Sequence, residues 1–150
     1  MFLWNVASIS LRFNAGVPMT TKLWLSRRLI DLPMYYALCT KESQFYRLLK
    51  TLGAPKVPYL SSSSANATTH FLETGGATSH AAIVCLQEKV SARPVEVYGL
   101  LVHEAVHIKQ EAFALIGEKS PGDEIEAYTV QSISQALIDS YLKQTRSKKT

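Results

Sequence analysis

PVEVYGLLVHEAVHIKQEAFALIG, running from Pro94 to Gly117, is the stretch from which the rest of the chain takes its arrangement. Proline stands at its N-terminal end and nowhere later, apolar residues recur at Val97, Leu100, Leu101, Ala105, Ile108, Ala112 and Leu115, and Gly117 supplies a stop. The spacing predicts one long helix. Apolar residues on several of its faces predict burial between other elements. Within it lies His103-Glu104-Ala105-Val106-His107. A four-residue step on a helix sets two imidazoles one turn apart on one face, Cβ atoms about 5–6 Å apart, with a carboxylate beside them. That is half of a catalytic zinc site, which usually takes three protein ligands and keeps a fourth position for water. The plainer reading of the same residues is a buried helix with two hydrogen-bonded histidines and an incidental glutamate.

A second helix follows closely. After the turn Gly117 to Gly122, Pro121-Gly122-Asp123 opens the run EIEAYTVQSISQALIDSYLK. The short link predicts an antiparallel neighbour whose start returns toward the end of the first helix. Glu124 and Glu126 lie in its first turns, where acidic residues also suit the helix dipole, and at 100° per residue they point about 160° apart. Only one can face a shared metal. Periodicity leans to Glu126, beside Val130, Ile133 and Leu137 on the main apolar stripe, with Glu124 at its margin beside Tyr128, Gln131, Ile138 and Leu142. A helix that touches both a sheet and the motif helix has two buried directions, however, and Ala127 permits close approach. Both glutamates therefore stay open on this ground.

Upstream the chain supplies a scaffold. Lys22 to Ile30 predicts a first strand, Lys41 to Thr51 an amphipathic helix with Phe45, Leu48 and Leu49 on one side, and Gly53 to Asn66, with Pro55, Pro58 and four serines, a loop. Thr68 to Glu73 and His80 to Gln87, separated by Gly75 and Gly76, predict an antiparallel hairpin. The order β, α, β, β, α, α is an α+β domain in which a small three-stranded antiparallel sheet packs on helices. At 150 residues and 47% hydrophobic the chain is large enough for one core without disulfides. Two cysteines, Cys39 and Cys85, are too few for a disulfide framework, and a reduced buried thiol and a reducing compartment are expected.

Charge excludes some functions. Residues 1–142 carry twelve basic and twelve acidic residues, so the net +4 resides in Lys143, Arg146, Lys148 and Lys149. No surface-wide footprint for nucleic acid follows, and 143–150 reads as a solvated, frayed basic tail. The first 18 residues read as an N-terminal extension, disordered or adding an edge strand. Their apolar run MFLWNVASIS is too short to span a bilayer and has no positive leading region, so neither a membrane partner nor export is expected.

HEAVH followed by Glu124-Ile125-Glu126-Ala127-Tyr128 resembles the minimal glutamate zincins, whose pattern is HExxH and then ExxA followed by Asn or Asp. The segments WLSRRLIDLPMYYALC, HFLE, AAIVCL, LLVHEAVHIKQ and EIEAYTVQSISQ, spanning roughly Met19 to Tyr141, are similar to small uncharacterised metallopeptidase-like proteins of phages and prophages. The resemblance implies a minimal zincin-like fold over 19–142 and a zinc metallopeptidase with one zinc per chain, held by His103, His107 and Glu124, with Glu126 the second choice. It implies hydrolysis of a peptide or protein in a bacterial host cytoplasm through a water activated by zinc, with Glu104 as general base. Tyr128 departs from the pattern, since many relatives carry there an Asp or Asn that orients a zinc-bound histidine. Tyr128, Tyr98, His70 and His80 are candidates for stabilising the oxyanion. An edge strand beside a zincin cleft pairs with extended substrate, so the hairpin is expected to do the same. Two other readings suit the site chemistry: a non-catalytic zinc-binding module, against which Glu104 argues, and an amidase acting on a cell-wall amide.

Overall fold

In a computed structural model of the protein, residues 32–74, 80–90 and 93–146 are described, together with the backbone of Leu11–Phe13. The elements are β1 (Leu11–Phe13), β2 (Tyr35–Cys39), α1 (Glu42–Thr51), β3 (Ala67–Thr74), β4 (His80–Leu86), α2 (Pro94–Leu115) and α3 (Asp123–Arg146). The class is α+β, as the order of elements predicts.

The sheet departs from expectation in strand number and direction. Its order is β1-β3-β4-β2; β3 and β4 form the expected antiparallel pair, but β2 runs parallel to β4 and β1 parallel to β3. An all-antiparallel sheet of three strands is thus replaced by a mixed one of four. The cause lies in the connection: α1 carries the chain over the sheet from β2 to β3, and the β3–β4 hairpin then returns β4 into the place beside β2. As the central strand, β4 is buried along all of Ala81–Leu86, which explains why AAIVCL is continuously apolar and does not alternate. The strand expected at Lys22 to Ile30 lies outside the described residues. β1 adds an edge strand within the N-terminal extension.

Period-two alternation splits the sheet into two buried faces. One face, with Ala37, Cys39, Leu72, Ile83 and Cys85, packs on Phe45, Leu48 and Leu49 of α1. The other, with Tyr36, Leu38, Ala82 and Val84, packs on Val97, Leu101, Ala105 and Ile108 of α2 and on Ile133 and Leu137 of α3. Each such aliphatic side chain contributes about 1.5–3 kcal/mol by leaving water. Cys39 and Cys85 are free, buried and opposite one another in register; burial, above all, drives the Cys85 thiol up.

α2 ends where Gly117 takes φ +73 and Glu118 N–H donates to Phe113 O at 2.9 Å, closing its last turn. The chain then reverses. Lys109 near the end of α2 pairs with Glu126 near the start of α3, while Tyr98 near the start of α2 stacks edge-on with Tyr141 near the end of α3, so the two helices are antiparallel. α3 runs past the expected end at 142. Gln144 donates to Leu38 O at 3.0 Å and accepts from Gln44 at 2.9 Å, which docks this position on β2 and α1, while Lys143, paired with Asp139 one turn back on α3, and Arg146 are exposed. No helix among the described residues is long and apolar enough to cross a membrane.

Candidate metal centre

α2 points its polar residues in three directions, and the site follows from them. Glu104 faces the sheet: it is 4% exposed, and its Oε2 accepts from Thr69 Oγ1 of β3 at 2.5 Å. Tyr98 and Lys109 face α3. At 100° per residue His103 and His107 lie about 120–180° around the helix from those two, on the flank next to β3. Both histidines are half-buried.

The two imidazoles converge. His103 Nε2 and His107 Nε2 stand 2.9 Å apart, with ring centroids 4.6 Å apart and planes at 78°. Two nitrogens bound to one tetrahedral zinc at 2.0–2.1 Å would stand about 3.3 Å apart, so a few tenths of an ångström separate this pair from ligand geometry. Gln110 Oε1 lies 3.3 Å from His107 Nδ1 and can accept its proton. That contact favours the tautomer whose Nε2 carries a lone pair toward His103. A proton shared between the two Nε2 atoms, or a cation bound by both, suits this approach, and the donor set is compatible with zinc at two of its positions.

The remaining predicted residues are not brought to the pair. Glu124 is exposed in the first turn of α3. Glu126 is half-buried and makes a short ion pair with Lys109, whose side chain is 9% exposed, so its carboxylate neutralises a buried ammonium. This explains its place on the apolar stripe. Among the described residues no group of three His, Cys, Asp or Glu side chains stands together as a metal cage.

Of the oxyanion candidates, Tyr98 is packed on Tyr141, on the α3 side of α2, and His70 lies on the opposite face of the sheet. The His70 ring sits against Phe45 at 4.6 Å, and its Nε2 is 3.0 Å from Tyr59 O. Neither can reach a group bound at His103 and His107. Tyr128, 52% exposed, and His80, half-buried in β4, remain. Thr69 is the residue that sequence reasoning missed. It is one threonine in a β-rich strand, 35 residues from Glu104, and only strand alternation in register with the motif helix could have singled it out.

No family model matches the chain, and no curated protein or solved structure gives a match.

Proposed function

We propose that the chain is a zinc-dependent metallopeptidase on a minimal zincin-like scaffold, hydrolysing peptide bonds in a peptide or protein substrate. The observation that carries this reading is the convergence of His103 Nε2 and His107 Nε2 to 2.9 Å on a helix whose intervening Glu104 is held separately by Thr69. A purely structural histidine pair needs no such carboxylate. His103 and His107 would hold the metal, and the sequence pattern supplies Glu124 as the third ligand. Glu124 stands apart from the pair, on the α3 side of α2, so this assignment rests on the sequence pattern alone. Zinc, when bound, supplies a water of lowered pKa and a Lewis acid for the scissile carbonyl.

The protein's own residues have separable tasks. Thr69 spends its hydroxyl proton on one oxygen of Glu104, fixing the carboxylate's plane and leaving the other oxygen to accept a proton from water and return it to the leaving amine. Gln110 fixes the His107 ring. The outer edge of β3 lies beside this flank, and an extended peptide pairing there would present its backbone to Glu104.

Metal content of protein purified without a histidine tag tests the ligand set. About one zinc per chain is expected, lost in His103→Ala and in His107→Ala. Loss in Glu124→Gln supports the third ligand, whereas retention moves that position to another group. Glu104→Gln should keep zinc and lose hydrolysis; zinc retained with no hydrolysis in either form would leave a binding module.

A further inference from the structure

On the face of the sheet away from the histidines, α1 and the loop after it border a cavity of about 580 Å³. That lies within the roughly 300–1,000 Å³ of sites for small molecules. Tyr59 and the half-buried Val57 and Leu60 give it an apolar lining, with Pro58 at the exposed rim. The lining is tied down. The Tyr59 hydroxyl is shared between Cys39 O and Leu86 O, and just beyond Leu60 the Ser61 N–H donates to Thr68 Oγ1 of β3 at 3.0 Å. Pro55 and Pro58 each fix one φ of the loop.

Two opposite charges line this cavity without meeting. Lys56 Nζ lies over the Tyr46 ring, 4.6 Å from its centroid. Glu42 stands one turn before Tyr46 on α1, and after burial its carboxylate is what raises the Tyr46 pKa. Among the described residues neither Lys56 nor Glu42 makes an ion pair, so each keeps its charge for another partner. We propose that the cavity binds a small zwitterion, a free amino acid or a dipeptide with an apolar side chain, its carboxylate at Lys56, its ammonium at Glu42 and its side chain on Tyr59, Val57 and Leu60. The site does not rest on the peptidase reading, because it and the histidine pair lie on opposite faces of the sheet. A lone anion would meet Glu42 and a lone cation would meet Lys56, whereas separated charges on one neutral molecule are matched by both. The contact with Tyr46 restrains Lys56 beforehand, which lowers the cost of ordering it. Ser62 and Ser63 add hydroxyls on the loop side of the lining. Both charges are exposed, so each contributes little, and the apolar side chain supplies most of the affinity.

The test is isothermal titration calorimetry on the full-length chain at low salt. The probes are L-phenylalanine and, in the Glu104→Gln variant so that it stays intact, L-leucyl-L-phenylalanine. Each is compared with its N-acetyl form, which lacks the ammonium, and its amide, which lacks the carboxylate. One of the two zwitterions should bind with a Kd below about 1 mM, and both blocked forms of it about threefold or more weakly, the scale of an exposed charge pair. Lys56→Met should abolish the difference between zwitterion and amide, and Glu42→Gln that between zwitterion and N-acetyl form. Both positions are exposed, so the fold tolerates the changes. Lys50→Met, which removes an exposed lysine of α1 outside the lining, should leave both differences intact. Tighter binding of phenylalanine assigns the site to free amino acids, and tighter binding of the dipeptide assigns it to peptides. No binding of either up to about 10 mM, equal binding of the blocked forms, or differences that survive Lys56→Met and Glu42→Gln overturn the site.

Discussion

Thr69 and His70 are neighbours in β3, yet they serve opposite halves of the molecule. Thr69 points to α2 and holds Glu104 beside the converging histidines; His70 points to α1 and is sealed among Phe45 and Tyr59. On the α1 side a polar ring has been made into core. His70 is 1% exposed, its Nδ1 has no hydrogen-bond partner, and burial lowers its pKa, so it is held neutral. Tyr59 is treated likewise: its hydroxyl is shared between Cys39 O at 2.9 Å and Leu86 O at 2.6 Å, and burial pushes its pKa up. On the α2 side the histidines remain half-buried with their Nε2 atoms turned toward one another. One face of the sheet has taken its polar rings into the core, and the other keeps a polar cluster of Thr69, His103, Glu104 and His107.

The largest test of that division is Glu104→Gln, which should cut peptide hydrolysis by about 10²–10⁴-fold while leaving the thermal midpoint close to that of the parent. A large loss of stability with unchanged turnover would reverse the roles of the two faces. Phe45→Ala is the counterpart on the α1 side. It opens a cavity at the centre of the ring cluster and should cost about 3–5 kcal/mol in denaturant unfolding, with zinc stoichiometry of the folded fraction unchanged. Zinc lost in step with stability would show that the faces are not independent.

Smaller effects sharpen the comparison. Thr69→Val keeps shape but removes the donor to Glu104, and should lower kcat about tenfold with little change in KM, whereas Thr69→Ser restores most of it. Equal rates in Thr69→Val would reduce the contact to packing. The smallest effect belongs to His70. Because its pKa is lowered on folding from an ordinary value near 6.5, the unfolded chain binds the proton more readily. Its contribution is therefore complete above about pH 6.5 and is lost as pH falls through the folded pKa. Unfolding midpoints measured from pH 8 down to pH 5 should show this decline in the parent and a shallower one in His70→Phe.

Much of this was legible beforehand, because it rests on local periodicity. The motif helix, the helix after it, α1 and the hairpin each bury a stripe or a face that repeats at their own period. β2 was not legible: Tyr35–Cys39 pairs in parallel with the central strand and is largely buried on both faces, so no alternation marks it. Pairing direction was hidden too, since it depends on α1 crossing the sheet and on β4 returning into the middle. Within the site the i, i+4 histidines could be read, because a helix alone brings them together. The contact of Thr69 with Glu104 and the claim of Lys109 on Glu126 could not, because each joins elements whose relative placement is decided by packing. The place of Gln144 could not be read for a similar reason: it finds a carbonyl of β2 that only the folded sheet presents, while Lys143 and Arg146 beside it are exposed.

The central claim is that the histidine pair holds a metal. The most direct measurement is zinc content by elemental analysis of tag-free protein, for the parent and for His103→Ala, after both have been exposed to equal zinc and dialysed. About one zinc per chain in the parent and close to none in the variant is the predicted result. Zinc absent from both, or retained equally by a folded His103→Ala, would contradict the account and leave the 2.9 Å approach of the two rings as an ordinary hydrogen bond.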